Sequence, residues 1–418
     1  MAIIKPFKAL RPQAQFARQV ASPPYDVLTS AEAKIEAQGN PISFLHITKS
    51  EIDLPEDTNP HSTAVYEKAK ENLTAFIKRD VVFRENKDCY YIYSLVMPDP
   101  QKPGGKHRQS GLVCVSSIED YENDTIKKHE FTRPDKEQDR IDHIKATGAQ
   151  TGNVFLTYRN VAALDSLVNK WISEKSGIYD FTSNDGIQHT VWIVNDTATI
   201  NDITELFAAS VPCTYIADGH HRAASAAKVK MELGKNATEN AGFFLTTLFP
   251  SNQLLIMDYN RLVKTLNGHN SESFLQLLNE NFLVEEIGSD AYKPTQLHEF
   301  GLYLNSRWYK LTAKEGSYSD DPLGVLDITI LQNNILSRLL NIHDQRTDEN
   351  LDFVGGIKGL DELSKRVDSG EMALAFSLYP VSIEQLFDIA DSGNIMPPKS
   401  TWFEPKLRDG LLTHLIYE

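Results

Sequence analysis

The chain has 418 residues with 41% hydrophobic and 24% charged side chains, enough apolar material for a sizeable core and for two domains. Its formal net charge of −15 counts against a broad nucleic-acid or anionic-membrane surface, which would carry excess Lys and Arg. Cys89, Cys114 and Cys213 are too few and too widely spaced for a disulfide framework or a zinc ribbon, and no apolar run reaches signal-peptide or membrane-spanning length. A soluble cytoplasmic protein is the expectation.

In chain order, "HSTAVYEKAKENLTAFIKRD" carries Val65, Ala69, Leu73, Phe76 and Ile77 at helical spacing and predicts an amphipathic helix. "DCYYIYSLVM" and "RQSGLVCVSSI" predict two strands joined by the turn-rich "PDPQKPGGKH". A helix is expected after Asn201, then a short strand at "CTYIA". "HRAASAAKVKMEL" is a helix by propensity, closed by Gly234. Strands follow at "AGFFLTTLFP" and "QLLIMDY", a helix at "ESFLQLLNENF", a hairpin at "FGLYLNSRWYKLTA" and a helix at "LDITILQNNILSRLL". "MALAFSLYP" is an apolar strand, and "SIEQLFDIADSG" is a helix opened by a capping box of Ser382 and Gln385. Strands and helices mix without strict alternation, which predicts α+β architecture with mixed sheets. The boundary is expected near 255–265, giving portions 1–258 and 259–418.

Four polar stretches stand out. In "YIADGHHRAASA" an acid, a glycine, two histidines and an arginine sit where a strand hands over to a helix. A helix N-terminus leaves backbone N–H groups unpaired and carries partial positive charge, so it holds anions readily. Gly219 would let an anion approach, with donors from His220, His221 and Arg222. Asp218 is either the helix N-cap or a catalytic or metal carboxylate. The second stretch, "KKHEFTRPDKEQDRIDHIKATG", fails the H-E-x-x-H pattern because Arg133 stands at the second histidine position; composition alone reads it as a solvated charged helix. In "VASPPYDVLTS" Asp26 reads as a cap for a helix beginning near Ser30. In "MPPKSTWFEPKLRDG" two prolines precede Lys399, Ser400 and Thr401, which suit either a phosphate loop or a tight turn. The chain contains no Walker A motif, no G-x-G-x-x-G and no G-x-S-x-G elbow.

Taken together, "ASPPYDV", "KKHEFT" with the following "DR", "ADGHHR", "YNR" at 259–261 and "MPPKSTWFEPKL" resemble the bacterial and archaeal family of domain of unknown function 1015. That family is itself similar to the ParB–sulfiredoxin superfamily, mainly through the Asp-Gly-His-His-Arg signature. The resemblance implies a ParB/sulfiredoxin-like nucleotide-binding core elaborated by insertions, with a second α+β portion whose Lys399 loop returns to the site. Members of the superfamily phosphorylate free serine, activate a sulfinate with ATP, or bind DNA and hydrolyse CTP. Sulfiredoxin's cysteine is missing here, since His220 lies between Gly219 and His221.

The function implied is nucleotide-dependent phosphoryl transfer on a small hydroxylated metabolite, serine or phosphoserine being the model substrates. Glu130, Asp218 and His221 are the implied catalytic residues, with Gly219, His220, Arg222, Lys399, Ser400 and Thr401 on the phosphates. Tyr25, Asp26, His129, Arg133 and Arg140 are the implied substrate residues. ATP or ADP and Mg²⁺, held by Asp218, are the implied cofactors. The competing readings are a ParB-like nucleotide switch or nucleic-acid binder, and a non-catalytic ligand sensor.

Overall fold

The structure, a computed structural model, describes residues 1–100, 102 and 104–417; Gln101 and Pro103 of the predicted turn lie outside them. The chain is α+β throughout and divides into two compact units, Met1–Leu254 with Pro405–Glu418, and Leu255–Glu404. The last fourteen residues therefore belong with the first unit rather than with the 259–418 portion that the sequence suggested.

The first unit is built on a nine-stranded mixed sheet. Tyr90–Pro98 and Lys106–Ser117 are the two predicted strands, paired antiparallel from Tyr91 opposite Val113 to Pro98 opposite Lys106. Phe243–Pro250 adds antiparallel to the second of them and parallel to Val154–Tyr158. Thr214–Asp218 then pairs antiparallel with Val154–Tyr158, with a bulge between Ile216 and Asp218. A bulge bends a strand and re-aims its side chains, and this one lies at the end of the "ADGHHR" strand. Ile92, Leu112, Leu156, Ile216 and Phe244 are buried together on one side of the sheet with Phe207, Ala223 and Ala227 from helices. The helix Thr63–Lys78 buries Val65, Tyr66, Ala69, Leu73 and Phe76, while Ile77, expected on the same face, is exposed. The returning C-terminal residues pair His414 with Gln150 and bridge Asp409 to Ser22.

The second unit holds a six-stranded antiparallel sheet. Its predicted hairpin is Glu299–Leu304 and Arg307–Ala313, turned by Asn305 and Ser306 at φ 50° and 56°. The Ser382 capping box opens the helix Ile383–Asp391 as expected. "LDITILQNNILSRLL" differs: an α-helix at Asp327–Leu331 widens into a π-helical turn at Gln332–Leu336. Among the described residues no helix is long and apolar enough to cross a membrane, and all three cysteines are free.

Candidate functional site

The strand Thr214–Asp218 passes through Gly219 into the fourteen-residue helix His220–Leu233. Gly219 is the N-cap, at φ 95°, and no side chain caps the helix, so the alternative role of Asp218 as the cap is set aside. A Cβ on Gly219 would lie 3.4 Å from Val154 Cα, which is ordinary contact; the positive φ is what selects glycine here. Asp218 instead accepts a bond of 2.8 Å from Lys406 Nζ. Burial would raise the Asp218 pKa, but the nearby charges of Lys406 and Arg222 outweigh it and hold the carboxyl well below its usual range.

The two histidines point to different partners, as adjacent helix positions must. The His220 ring packs edge-on against His129 at 4.6 Å, and its Nδ1 lies 3.7 Å from Glu130 Oε2. Both rings are buried, and burial lowers both pKa values, that of His129 to about 4 and that of His220 well below the usual value, so both are neutral at pH 7. His129 Nδ1 and His220 Nε2 are buried without a hydrogen-bond partner. His221 Nε2 accepts a bond of 2.9 Å from the backbone N–H of Arg133, which puts the ring's proton on Nδ1. The 129–133 segment is thus tied at both ends to the first turn of the helix. Pro134 is the first residue of the helix Pro134–Thr147, a position that tolerates its missing N–H.

Asp26 does not cap the helix near Ser30, because Thr29 does so in a capping box with Glu32. Its carboxylate takes a two-pronged bond from Arg222 Nη2, at 2.8 and 3.0 Å, while Arg222 Nη1 donates to the Asn153 carbonyl. Tyr25 lies under two guanidinium groups, Arg140 at 3.9 Å and Arg222 at 5.5 Å from the ring centre. Burial, reinforced by Asp26, pushes the Tyr25 hydroxyl up to about 12. Arg140 is fixed by Asp139, which also accepts bonds from His61 and Tyr66. A cavity of about 30 Å³ lies among Tyr25, Arg140, Thr151, Gly152 and Arg222, room for a water or two.

Tyr25, Asp26, His129, Glu130, Arg133, Arg140, Asp218, Gly219, His220, His221 and Arg222 thereby meet in the first unit, around the turn at 218–222. Lys399, Ser400 and Thr401 belong to the second unit. There Lys399 Nζ sits 5.8 Å from the Tyr259 ring centre and Ser400 Oγ donates to the Pro397 carbonyl. Two residues of the cluster escaped the sequence reading. Lys406 lies in "MPPKSTWFEPKL" seven positions after Lys399. Asp409 is buried with one carboxyl oxygen unpartnered, and burial raises its pKa to about 7 against the opposing charge of Arg222. A Cβ on Gly152 would meet Asp409 Oδ1 at 3.3 Å and Arg222 Cδ at 3.4 Å, so the two side chains crowd one glycine. Nothing local in the sequence marks Asp409. For a divalent ion, no group of three or more His, Cys, Asp or Glu side chains forms among the described residues. One carboxylate plus substrate phosphates is a usual Mg²⁺ set, and Asp218, with one oxygen given to Lys406, fits that limited role.

What the fold and site define is an α+β protein with an uncapped helix N-terminus ringed by opposed charges. The chain belongs to the family described as "Protein of unknown function (DUF1015)", whose profile matches residues 4–329. No curated protein matches it. Among solved structures it is similar to a free serine kinase in complex with AMP, at 13% identity and a TM-score of 0.36, covering 73% of this chain and 92% of that one. A conserved hypothetical protein from Pyrococcus furiosus matches at 14% identity and a TM-score of 0.35, covering 73% of this chain and 95% of that one. SbnI with a C-terminal truncation, from Staphylococcus aureus, matches at 10% identity and 0.38, covering 72% and 87%.

Proposed function

We propose that the chain transfers a phosphoryl group between a nucleotide and a small hydroxylated metabolite, with ATP as donor or, in reverse, ADP as acceptor. The observation that carries this reading is the uncapped N-terminus of His220–Leu233, with Gly219 at φ 95° and Asp218, Lys406, Glu130 and two buried, unpartnered imidazole nitrogens around it. Open backbone donors at a helix start favour a phosphate. Arg222 commits both terminal nitrogens to Asp26 and Asn153, so its part is positive charge and positioning of Asp26 rather than direct phosphate bonds. Glu130, on the exposed side of His220, is the candidate base.

Phosphoryl transfer asks a protein mostly for positioning and charge neutralisation. In the forward direction the metabolite oxygen bonds to the γ-phosphorus, the bond to the bridging oxygen breaks, and the hydroxyl proton passes to Glu130. Mg²⁺, when bound through Asp218, would supply charge neutralisation at the phosphates. The test is transfer between labelled nucleotide and a panel of serine-like metabolites, in both directions, with Mg²⁺ present. Wild type should show metabolite-dependent transfer, and Glu130→Gln should lose about 10²–10⁴-fold in turnover with nucleotide affinity unchanged. Absence of transfer with every metabolite would leave a sensor or switch. Full activity in Glu130→Gln would remove Glu130 as the base.

A further inference from the structure

Phe131 stands between the two anchors of the 129–133 segment. On one side the His129 ring packs on His220 and Glu130 Oε2 reaches His220 Nδ1; on the other the Arg133 N–H bonds His221. Phe131 directly follows Glu130 and lies two positions before Arg133, and a residue spans at most about 3.8 Å, so its backbone is held beside the first turn of the motif helix. Yet the side chain is 68% exposed. A second exposed apolar residue follows a side chain held at that turn. Val27, 41% exposed, directly follows Asp26, whose carboxylate is held by Arg222. Single exposed apolar residues are common and mean little. Phe131 and Val27 lie on segments 104 positions apart in sequence, and each is next in the chain to a side chain held at the first turn of the motif helix.

We propose that Phe131 is the stacking platform for the nucleotide's base, with Val27 completing an apolar margin. This rests on the phosphate-binding reading of the motif turn. A nucleotide whose phosphates sit at the helix start would carry its base toward the tethered segment that bears Phe131. Every base offers a π face, so the platform would hold a nucleoside diphosphate by its ring without selecting among bases.

The experiment is calorimetric titration of the full chain with ADP and, separately, with pyrophosphate, which keeps the two phosphates and lacks the base. Phe131→Ala should weaken ADP by about 10- to 100-fold while pyrophosphate affinity stays put. Phe131→Trp should restore ADP binding to within about threefold of wild type. Circular dichroism and thermal melting check that the exposed substitution leaves the fold alone. Unchanged ADP affinity in Phe131→Ala overturns the platform and leaves the phosphate site standing. Equal weakening of ADP and pyrophosphate also overturns it, since the ring would then act through the segment's shape. A wild type that binds neither ligand refutes the underlying phosphate site, and the platform with it.

Discussion

Two turns of this molecule place a residue in left-handed conformation within a sequence that suits a phosphate loop, and they are built in opposite ways. At 218–222 the left-handed residue is Gly219, φ 95°, and the surroundings are opposed charges: Asp218 with Lys406, Asp26 with Arg222, Glu130 near His220. At 397–400 it is Lys399, φ 57°, and the surroundings are neutral acceptors. Ser400 bonds the Pro397 carbonyl, and the fully buried Arg261 bonds the carbonyls of Pro398 and Tyr259 and the side chain of Gln345. Burial lowers the Arg261 pKa to about 9 with only Tyr259 opposing, so its charge is met by dipoles and by the Phe353 ring at 4.9 Å, not by a carboxylate. The first turn leaves polar atoms unsatisfied at a helix start. The second satisfies its own groups locally. A proline–lysine–hydroxyl sequence is therefore compatible with a self-contained turn, and the residue types alone do not separate the two cases.

The largest stability effect separates them first. A lysine or arginine serving only as a surface cradle would leave stability untouched when removed. Arg222 is different, because it is nearly buried and satisfies both Asp26 and the Asn153 carbonyl. Breaking a buried ion pair costs about 3–5 kcal/mol, and the 40% exposure of the Asp26 side chain reduces that toward about 2–3 kcal/mol. Arg222→Ala should show that loss in denaturant unfolding without ligand. A change below about 0.5 kcal/mol would mean that the Asp26 pair does not persist in solution, and the contrast between the turns would lose its main support.

What was legible in the sequence follows the range of the forces involved. Local propensity and capping are written in a few consecutive residues, so the helix His220–Leu233, its end at Gly234 and the Ser382 capping box could all be read. The Thr29–Glu32 box was equally local, and its T-x-x-E spacing could have displaced Asp26 as the expected cap. Long-range pairings have no such signature. Arg222 meets Asp26 across 196 positions and Lys406 meets Asp218 across 188, distances that only the strand order and the returning C-terminus close. The same limit makes Lys399 more conspicuous than Lys406: two prolines and two hydroxyls flank the first, while the single Pro405 before the second says nothing of Asp218. The π-helical turn at Gln332–Leu336 was hidden for another reason: its apolar spacing continues that of the α-helix before it.

Asp409 sharpens the comparison through pH. Its pKa of about 7 lies above the roughly 3.9 of an unfolded aspartate, with burial the main cause and Arg222 opposing. Between about pH 4 and 7 the folded state therefore binds a proton that the unfolded state has lost. Stability from this group is full below the unfolded pKa and falls as pH rises toward the folded one, by at most about 1.4 kcal/mol per unit. Asp409→Asn should flatten that part of the profile, read as unfolding free energy from pH 4 to 8. An identical slope in wild type and variant would place the carboxyl in an ionised, solvated state and remove it from the charged turn.

The smallest effect comes from Lys399→Gly, set against the same exchange of left-handed chemistry at Gly219. At φ 57° Lys399 sits in the left-handed helical well, where a side chain costs about 1–2 kcal/mol relative to glycine. Lys399→Gly would relieve that strain, but it would also enlarge the unfolded ensemble, by about 0.4–1 kcal/mol, and remove a cation–π contact worth about 0.5–1 kcal/mol at an exposed site. The terms nearly cancel, and the variant should melt within about 0.5 kcal/mol of wild type. Gly219→Ala has no such compensation: φ 95° lies outside the well, while the 3.4 Å to Val154 Cα leaves space for the methyl group. It should lose about 1–3 kcal/mol from backbone strain alone. Both variants also report on binding. If Lys399→Gly keeps stability but weakens pyrophosphate more than tenfold, its loop is a phosphate loop after all, and the two turns share one task despite their different construction. If Gly219→Ala alone weakens it, the charged turn is where the anion sits.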